Sequence, residues 1–239
     1  MTELCVIHPG ELSPLSWPRI VRHLPEGTRL RVLELEALNG YWEHDPAATV
    51  TGLADRLRVT LDPRIDRLLV GWGVGGVIAE ALAARMAVRP RRTILLDTVA
   101  PYVSHKPSDA DLRRSYAMLV CARRGRAHLI PTDTLETMLE RLAELGFGAV
   151  DILRKGYFQH ARAHQFNARL IASHQPSGVP VTVVQPTGSL YGDLGWHYSN
   201  PVEALASGGD HYTMLTAPDH TVQLALLLSR WLTPSLVAV

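Results

Sequence analysis

The chain has 239 residues, 46% of them hydrophobic and 20% charged, and a net charge of +1. That length suits one sizeable α/β domain with a real core, and the small charge leaves no long-range field to attract nucleic acid or an anionic membrane. No apolar run approaches the ~20 residues of a membrane span, and the N-terminus lacks a basic segment followed by an apolar stretch and a small-residue cleavage site, so a cytoplasmic protein without a signal peptide is expected. The two cysteines, Cys5 and Cys121, make no metal pattern. Cys5 lies in an apolar strand-like run and reads as a buried thiol, so no structural disulfide is expected.

Taken in chain order, short apolar runs alternate with longer amphipathic ones. Leu4–His8 reads as a strand and Pro14–Leu24 as a helix. Leu30–Glu34 and Thr49–Leu61 repeat the pair, and Arg67–Val70 with a helix from Gly75 to about Val88 repeats it again. Thr93–Asp97, "TILLD", is a fourth strand. Later come "VPVTVVQPT" (Val179–Thr187), "PVEALASG" (Pro201–Gly208) and a last helix, Asp219–Leu232. Apolar runs of four or five residues suit strands covered on both faces. The alternation predicts a parallel, doubly wound sheet.

One segment breaks the rhythm. From about Pro107 to Ser173 there is no convincing strand, only three helical patterns, "DADLRRSYAMLVCARR", "DTLETMLERLAELG" and "VDILRKGYFQHARAHQFNARLIAS". Asp133 and Glu136 stand where a capping interaction would open the middle one. An insert placed just after the "LLDT" strand end is expected to form a lid over the strand ends, with a second helical layer as the plainer alternative. No repeat, low-complexity tract or linker divides the chain, so residues 1–239 read as one domain with a lid at about 107–173.

The stretch "LLVGWGVGGVIAE", Leu68–Glu80, admits two readings. Gly71, Gly73 and Gly76 fit the dinucleotide fingerprint G-x-G-x-x-G, and Asp97 lies where an acidic group would bind a ribose. Gly71, Gly73 and Gly75 also fit the nucleophile elbow G-x-S-x-G with glycine in place of serine. The loop is the third βα turn of the chain, Trp72 is bulky for a turn that must approach a pyrophosphate, and a cofactor loop gives no role to the C-terminal sequence. That sequence, "GGDHYTMLTAPDHTVQLALLLSRWL", places Asp210 and His211 between a strand and the last helix. There an α/β hydrolase carries its histidine, in chain order nucleophile, acid, histidine. We therefore read an elbow without its nucleophile, and expect no cofactor.

Six stretches then match one family in order over nearly the whole chain: "CVIHPGE", "LLVGWGVGGVIAEALA", "TILLDTVAPY", the helical insert, "GWHYSNPVEALASGGDHYTML", and the final helix through "RWL". The insert matches in size and position only. The chain resembles the thioesterase family of polyketide and nonribosomal peptide biosynthesis. The resemblance implies an α/β-hydrolase fold and a Ser-His-Asp triad that takes an acyl chain from a carrier-protein phosphopantetheine arm and hydrolyses or cyclises it. Carried over by position, the histidine is His211, the acid Asp97 and the serine position Gly73. The N–H of Val74 would be one oxyanion donor, and the loop around Gly10 and Glu11 would supply the second. Glu11 departs from the pattern by placing a carboxyl group where small residues are usual.

Without a side chain at Gly73 there is no acyl-serine. Ser13, Ser16 and Thr98 lie near strand ends and Cys121 in the insert, but nothing in the sequence brings them to the elbow. The His211–Asp97 pair alone makes a competent general base for water, a substrate hydroxyl, an amine or an acidic carbon. A dyad enzyme is the leading expectation. A non-catalytic relative that binds a carrier protein or acyl chain, and a Ser→Gly variant of an ordinary thioesterase, are the alternatives. Trp72, beside the elbow, is a substrate-contact candidate, though packing is the plainer role for it, as for Trp196 and Tyr212. His8 reads as structural. His160 and His164, four apart, share a helix face, but no carboxylate or third histidine completes a motif, so no metal site is expected. Arg123–Arg126 is either a docking patch for an acidic carrier protein or a solvated basic turn.

Overall fold

The computed structural model describes residues 2–103, 106–126 and 133–232. Six strands form one sheet in the order β2-β1-β3-β4-β5-β6. They are β1 (Glu3–His8), β2 (Arg29–Glu34), β3 (Arg67–Trp72), β4 (Arg92–Leu96), β5 (Val181–Pro186) and β6 (Val202–Ser207). Every neighbouring pair is parallel.

Alternation along the strands sorts side chains into two cores. Leu4, Val6, Leu68, Val70, Ile94 and Leu96 face one side, with Ile20 of α1 (Ser16–Val21) and Leu224 of α8 (Pro218–Leu232). Cys5, Ile7, Leu69 and Leu95 face the other, with Leu53 of α2 (Val50–Arg58) and Val77 of α3 (Val74–Arg85). A period of two with both faces apolar is why these strands read as continuous hydrophobic runs. The sheet is doubly wound, as the strand–helix alternation predicts.

Boundaries moved where pairing or capping overrode local pattern. β3 runs two residues past Val70 because Gly71 and Trp72 continue the ladder with Leu95 and Leu96 of β4. The second helix begins after Thr49, whose hydroxyl accepts from the Gly52 N–H, which satisfies one of the free donors of a helix start.

Between β4 and β5 stand α4 (Asp109–Ala122), α5 (Leu135–Glu144) and α6 (Val150–Ala172). They share a small core of their own around Leu112, Tyr116, Met138, Leu142, Leu153 and Tyr157. Residues 127–132 of the expected lid lie outside the described residues. The cap of α5 differs from the expectation. Thr134, not Asp133, is its N-cap and accepts from the Thr137 N–H, while Glu136 pairs with Arg154 of α6. Thr134 has the extended backbone of an N-cap (φ −124°, ψ 160°), so its hydroxyl reaches the first turn where the carboxyl of Asp133 does not. Among the described residues no helix is long and apolar enough to cross a membrane.

Candidate active site

The glycine loop is a sharp strand-to-helix turn. Gly73 has φ 56° and ψ −127° and immediately precedes α3, and its N–H donates to the Leu96 carbonyl over 3.0 Å. Each flanking glycine is demanded by protein packing. A Cβ at Gly71 would overlap the Gly75 carbonyl, one at Gly75 the Ile7 carbonyl, and one at Gly76 the Thr98 side chain. The glycines thus let α3 sit close against β1, β3 and the end of β4, which accounts for the fingerprint without a phosphate. A Cβ at Gly73 itself would meet only the His211 ring, 3.2 Å from Cε1 and 3.4 Å from Nε2.

His211 comes from the loop between β6 and the short helix α7 (Thr213–Thr216). Asp210 shapes this loop, its Oδ1 accepting from the N–H groups of Tyr212 and Thr213 at 2.9 Å each, as short acidic side chains do in turns. The His211 Nδ1–H donates to Asp97 Oδ2 over 2.8 Å, and the Ser189 hydroxyl donates to Asp97 Oδ1 over 2.6 Å. Asp97 follows β4 in left-handed backbone, φ 42°, and is buried. Burial opposes charge on His211, but the hydrogen bond and charge of Asp97, helped by Glu11 and Asp210, outweigh it and hold the imidazole above its ordinary pKa. With Nδ1 committed to Asp97, Nε2 is the free basic nitrogen, and it faces the space over Gly73.

Val74 opens α3, so its N–H has no carbonyl partner within the helix, and the residue lines the same pocket as Gly73, Asp97 and His211. Glu11 also lines it. Gly10 does not face this pocket. Its φ of 101° and the close approach of the Glu36 side chain explain the glycine as a turn residue. Trp72 is fully buried and lies behind the site. Its indole N–H donates to the His211 carbonyl over 2.9 Å and its ring stacks on the imidazole, so it positions His211 and is not placed to touch substrate.

His8 is structural. It accepts from the Trp17 indole at Nδ1 (3.2 Å) and donates to the Leu12 carbonyl from Nε2 (2.7 Å), fully buried. Neither Ser13, Ser16, Thr98 nor Cys121 lines the pocket, and burial pushes the Cys121 thiol above its ordinary pKa. Trp196 is a packing residue with its N–H on the Thr98 carbonyl. The Arg123–Arg126 cluster is engaged internally. Arg123 donates to the Glu11 carbonyl over 2.7 Å, and Arg124 and Arg126 lie over the Phe147 ring.

One group of residues escaped the sequence. The insert forms a wall of the pocket and brings Ser115 of α4 and His164 of α6 into it. The Tyr212 hydroxyl, expected only to pack, donates to Glu11 Oε2 over 2.8 Å and lies 3.0 Å from Ser115 Oγ. Ser115 Oγ in turn lies 3.1 Å from His160 Nε2 and 3.3 Å from His164 Nε2. The carboxylate that the sequence does not place near the histidine pair is thus supplied by Glu11, from the loop after β1. Burial works against charge on Glu11, yet the neighbouring His164 outweighs it and holds the carboxyl well below the usual range. Burial, then the charge of His164, pushes His160 down to about 3.

Sheet order, elbow and a histidine loop before the last helix define an α/β-hydrolase fold. No protein-family profile matches the chain. The chain is 30% identical over 108 residues to a pimeloyl-[acyl-carrier protein] methyl ester esterase of Aromatoleum aromaticum, a match covering 45% of this chain and 41% of that enzyme. Similar solved structures include a four-domain nonribosomal peptide synthetase bound to AMP and glycine (TM-score 0.68, 19% identity, 98% of this chain, 20% of that one). They also include the NocB thioesterase domain in covalent complex with a fluorophosphonate nocardicin G analogue (0.62, 21%, 98% and 96%). The RedJ thioesterase of the prodiginine pathway in Streptomyces coelicolor is a third (0.60, 17%, 96% and 85%).

Proposed function

We propose that this chain is a thioesterase-like enzyme of polyketide or nonribosomal peptide biosynthesis that acts on an acyl substrate without forming an acyl-serine. The observation that carries this reading is the His211 ring, fixed on Asp97 at 2.8 Å with Nε2 turned to the empty side-chain position of Gly73. Nε2 takes a proton from water, or from a substrate hydroxyl, amine or acidic carbon, lodged over Gly73. Asp97, itself held by Ser189, stabilises the imidazolium that results. The Val74 N–H stands ready at a helix start, where developing negative charge is favoured. Such positioned proton transfer is worth about 10²–10⁴-fold. The outcome is hydrolysis, cyclisation or a related proton transfer. The helical insert acts as the lid, the substrate is delivered on a carrier protein, and no nucleic acid or organic cofactor takes part. Thioesterase domains among the similar structures and the acyl-carrier-protein ester named for the relative support this substrate class.

A second reading has one observation behind it. The turn at Gly73 keeps a positive φ that a catalytic serine would need, and a Cβ there points at His211, as a Ser→Gly variant of an ordinary thioesterase would show. Turnover of a panel of acyl thioesters and carrier-bound acyl chains by the unaltered, His211→Ala and Gly73→Ser chains tests both. Activity lost only in His211→Ala supports the dyad. Activity that appears only in Gly73→Ser supports the variant. Full activity in His211→Ala removes both readings and puts the chemistry on another group, whereas turnover by none of the three chains leaves a binding protein.

A further inference from the structure

His160 and His164 sit one turn apart on α6, with ring centroids 4.2 Å apart. Their Nε2 atoms converge on the same point, Ser115 Oγ. Glu11 enters from the loop after β1, and its Oε1 lies 3.6 Å from His164 Nε2. One ligand atom from each of the three residues lies within 4.8 Å of the other two. The edge of a tetrahedron with metal–ligand bonds of 2.0–2.1 Å is about 3.4 Å long, so the Glu11–His164 spacing is already that of two ligands on one ion. It is also too long for a hydrogen bond.

An ionised Glu11 only accepts, so the Tyr212 hydroxyl spends its one proton on Oε2. Ser115 then spends its one proton on the Tyr212 oxygen. The Ser115 oxygen keeps lone pairs that accept from whichever imidazole carries its proton on Nε2, and Glu11 Oε1 lies 3.6 Å from His164 Nε2. A carboxylate oxygen, two imidazole nitrogens and a hydroxyl oxygen turned inward form a donor set for a cation. Tyr212 holds the carboxylate from behind, the role outer-shell partners play in metal sites.

We propose that Glu11, His160 and His164 bind a divalent transition-metal ion of the zinc class in the wall of the acyl pocket, with an open coordination position toward the cavity shared with Gly73 and His211. Two imidazoles and one carboxylate with an open position suit Zn²⁺ better than Mg²⁺ or Ca²⁺, which prefer oxygen ligands. The ion resolves a conflict of charge in the site. Glu11 stands in the loop expected to stabilise an oxyanion, where a bare carboxylate repels one; a bound dication reverses that sign. Resting on the dyad reading, the ion would bind the water or substrate oxygen whose proton His211 removes.

The test is metal binding by the intact chain. After chelator stripping, Zn²⁺ is titrated by calorimetry, and Co²⁺ is added to read the visible absorption of a low-symmetry N/O site. One equivalent per chain is expected. Glu11→Gln and His164→Ala, with folds checked by circular dichroism, should each weaken binding at least about 10-fold, since even outer-shell changes cost about 10–100-fold. His211→Ala should keep the metal and lose turnover. No uptake by the stripped chain, or uptake unchanged in both ligand variants, overturns the site. Metal bound at one equivalent together with full turnover in His211→Ala would instead uphold the site and remove the dyad.

Discussion

The Trp72 indole N–H reaches the His211 carbonyl oxygen over 2.9 Å, and the two rings stack with centroids 4.7 Å apart. The residue just before the elbow therefore fixes the loop that carries the base. Trp72→Phe keeps an aromatic ring but leaves a carbonyl without its donor, a loss of about 1–3 kcal/mol where the group is buried. A lower Tm and a lower kcat with little change in KM are expected from thermal melts and steady-state kinetics. An unchanged kcat would show that Asp210 alone sets the loop.

His211→Ala should remove turnover, a loss of about 10²–10⁴-fold, with the fold retained. Asp97→Asn should lose less. Asn tolerates the left-handed backbone found at this position better than most residues, so the variant is expected to fold while its imidazole is less well oriented. Single-turnover rates on an acyl thioester separate the two. Equal losses would mean that Asp97 does more than orient the ring.

The dyad sets the sign of the pH dependence. A general base works unprotonated, and His211 is held above its ordinary 6.5. Activity should therefore rise with pH through an inflection above 6.5, and Asp97→Asn should move that inflection down. Stability runs the other way. A raised pKa favours the protonated folded state, so this contribution is fully present below 6.5 and is lost as pH rises through the raised value. A pH–rate profile beside pH-dependent melts checks both directions.

Gly73→Ser should create a nucleophile. Its Cβ meets His211 at 3.2–3.4 Å, so the ring must yield by a few tenths of an ångström, and a serine held at φ 56°, ψ −127°, a sparsely populated conformation, costs about 1–3 kcal/mol. Labelling by a fluorophosphonate probe, read by intact-protein mass spectrometry, is expected in the variant and not in the unaltered chain. Labelling of the unaltered chain would expose a nucleophile elsewhere; a folded but unlabelled variant would count against the elbow.

Gly71→Ala tests whether the glycine loop is packed rather than open. Its Cβ would overlap the Gly75 carbonyl, and a forced backbone shift costs about 1–3 kcal/mol or more. Gly192→Ala, which meets nothing within 4 Å, serves as the control and should stay within about 0.5 kcal/mol. Denaturant melts that rank the two equally would contradict the turn geometry.

Legibility in the sequence followed the range of the interaction. β1, β3 and β4 show as apolar runs because both their faces are covered, and the Gly71–Gly76 turn shows because its glycines are dictated by contacts within a few residues or with the next strand. His211 and Asp97 were found because each stands at a fixed offset from a strand end. Ser189, Ser115 and the Tyr212 hydroxyl were missed because nothing local marks them: a serine in a loop and one on a helix look like any other. Glu11 was seen as an anomaly, but its partners His160 and His164 belong to an insert whose docking no periodicity encodes. Thr134 caps α5 where the sequence points to the neighbouring Asp133, because both residue types cap helices and only backbone dihedrals choose between them.

Helix α4 holds the loop after β1 at two points. Arg123, at its C-terminal end, grips the Glu11 carbonyl at 2.7 Å, and Ser115, two turns earlier, reaches the Glu11 carboxylate through Tyr212. A displacement of α4 would therefore carry the Glu11 carboxylate with it. The position of α4 and the position of the Glu11 charge are thus set by one connected chain of hydrogen bonds.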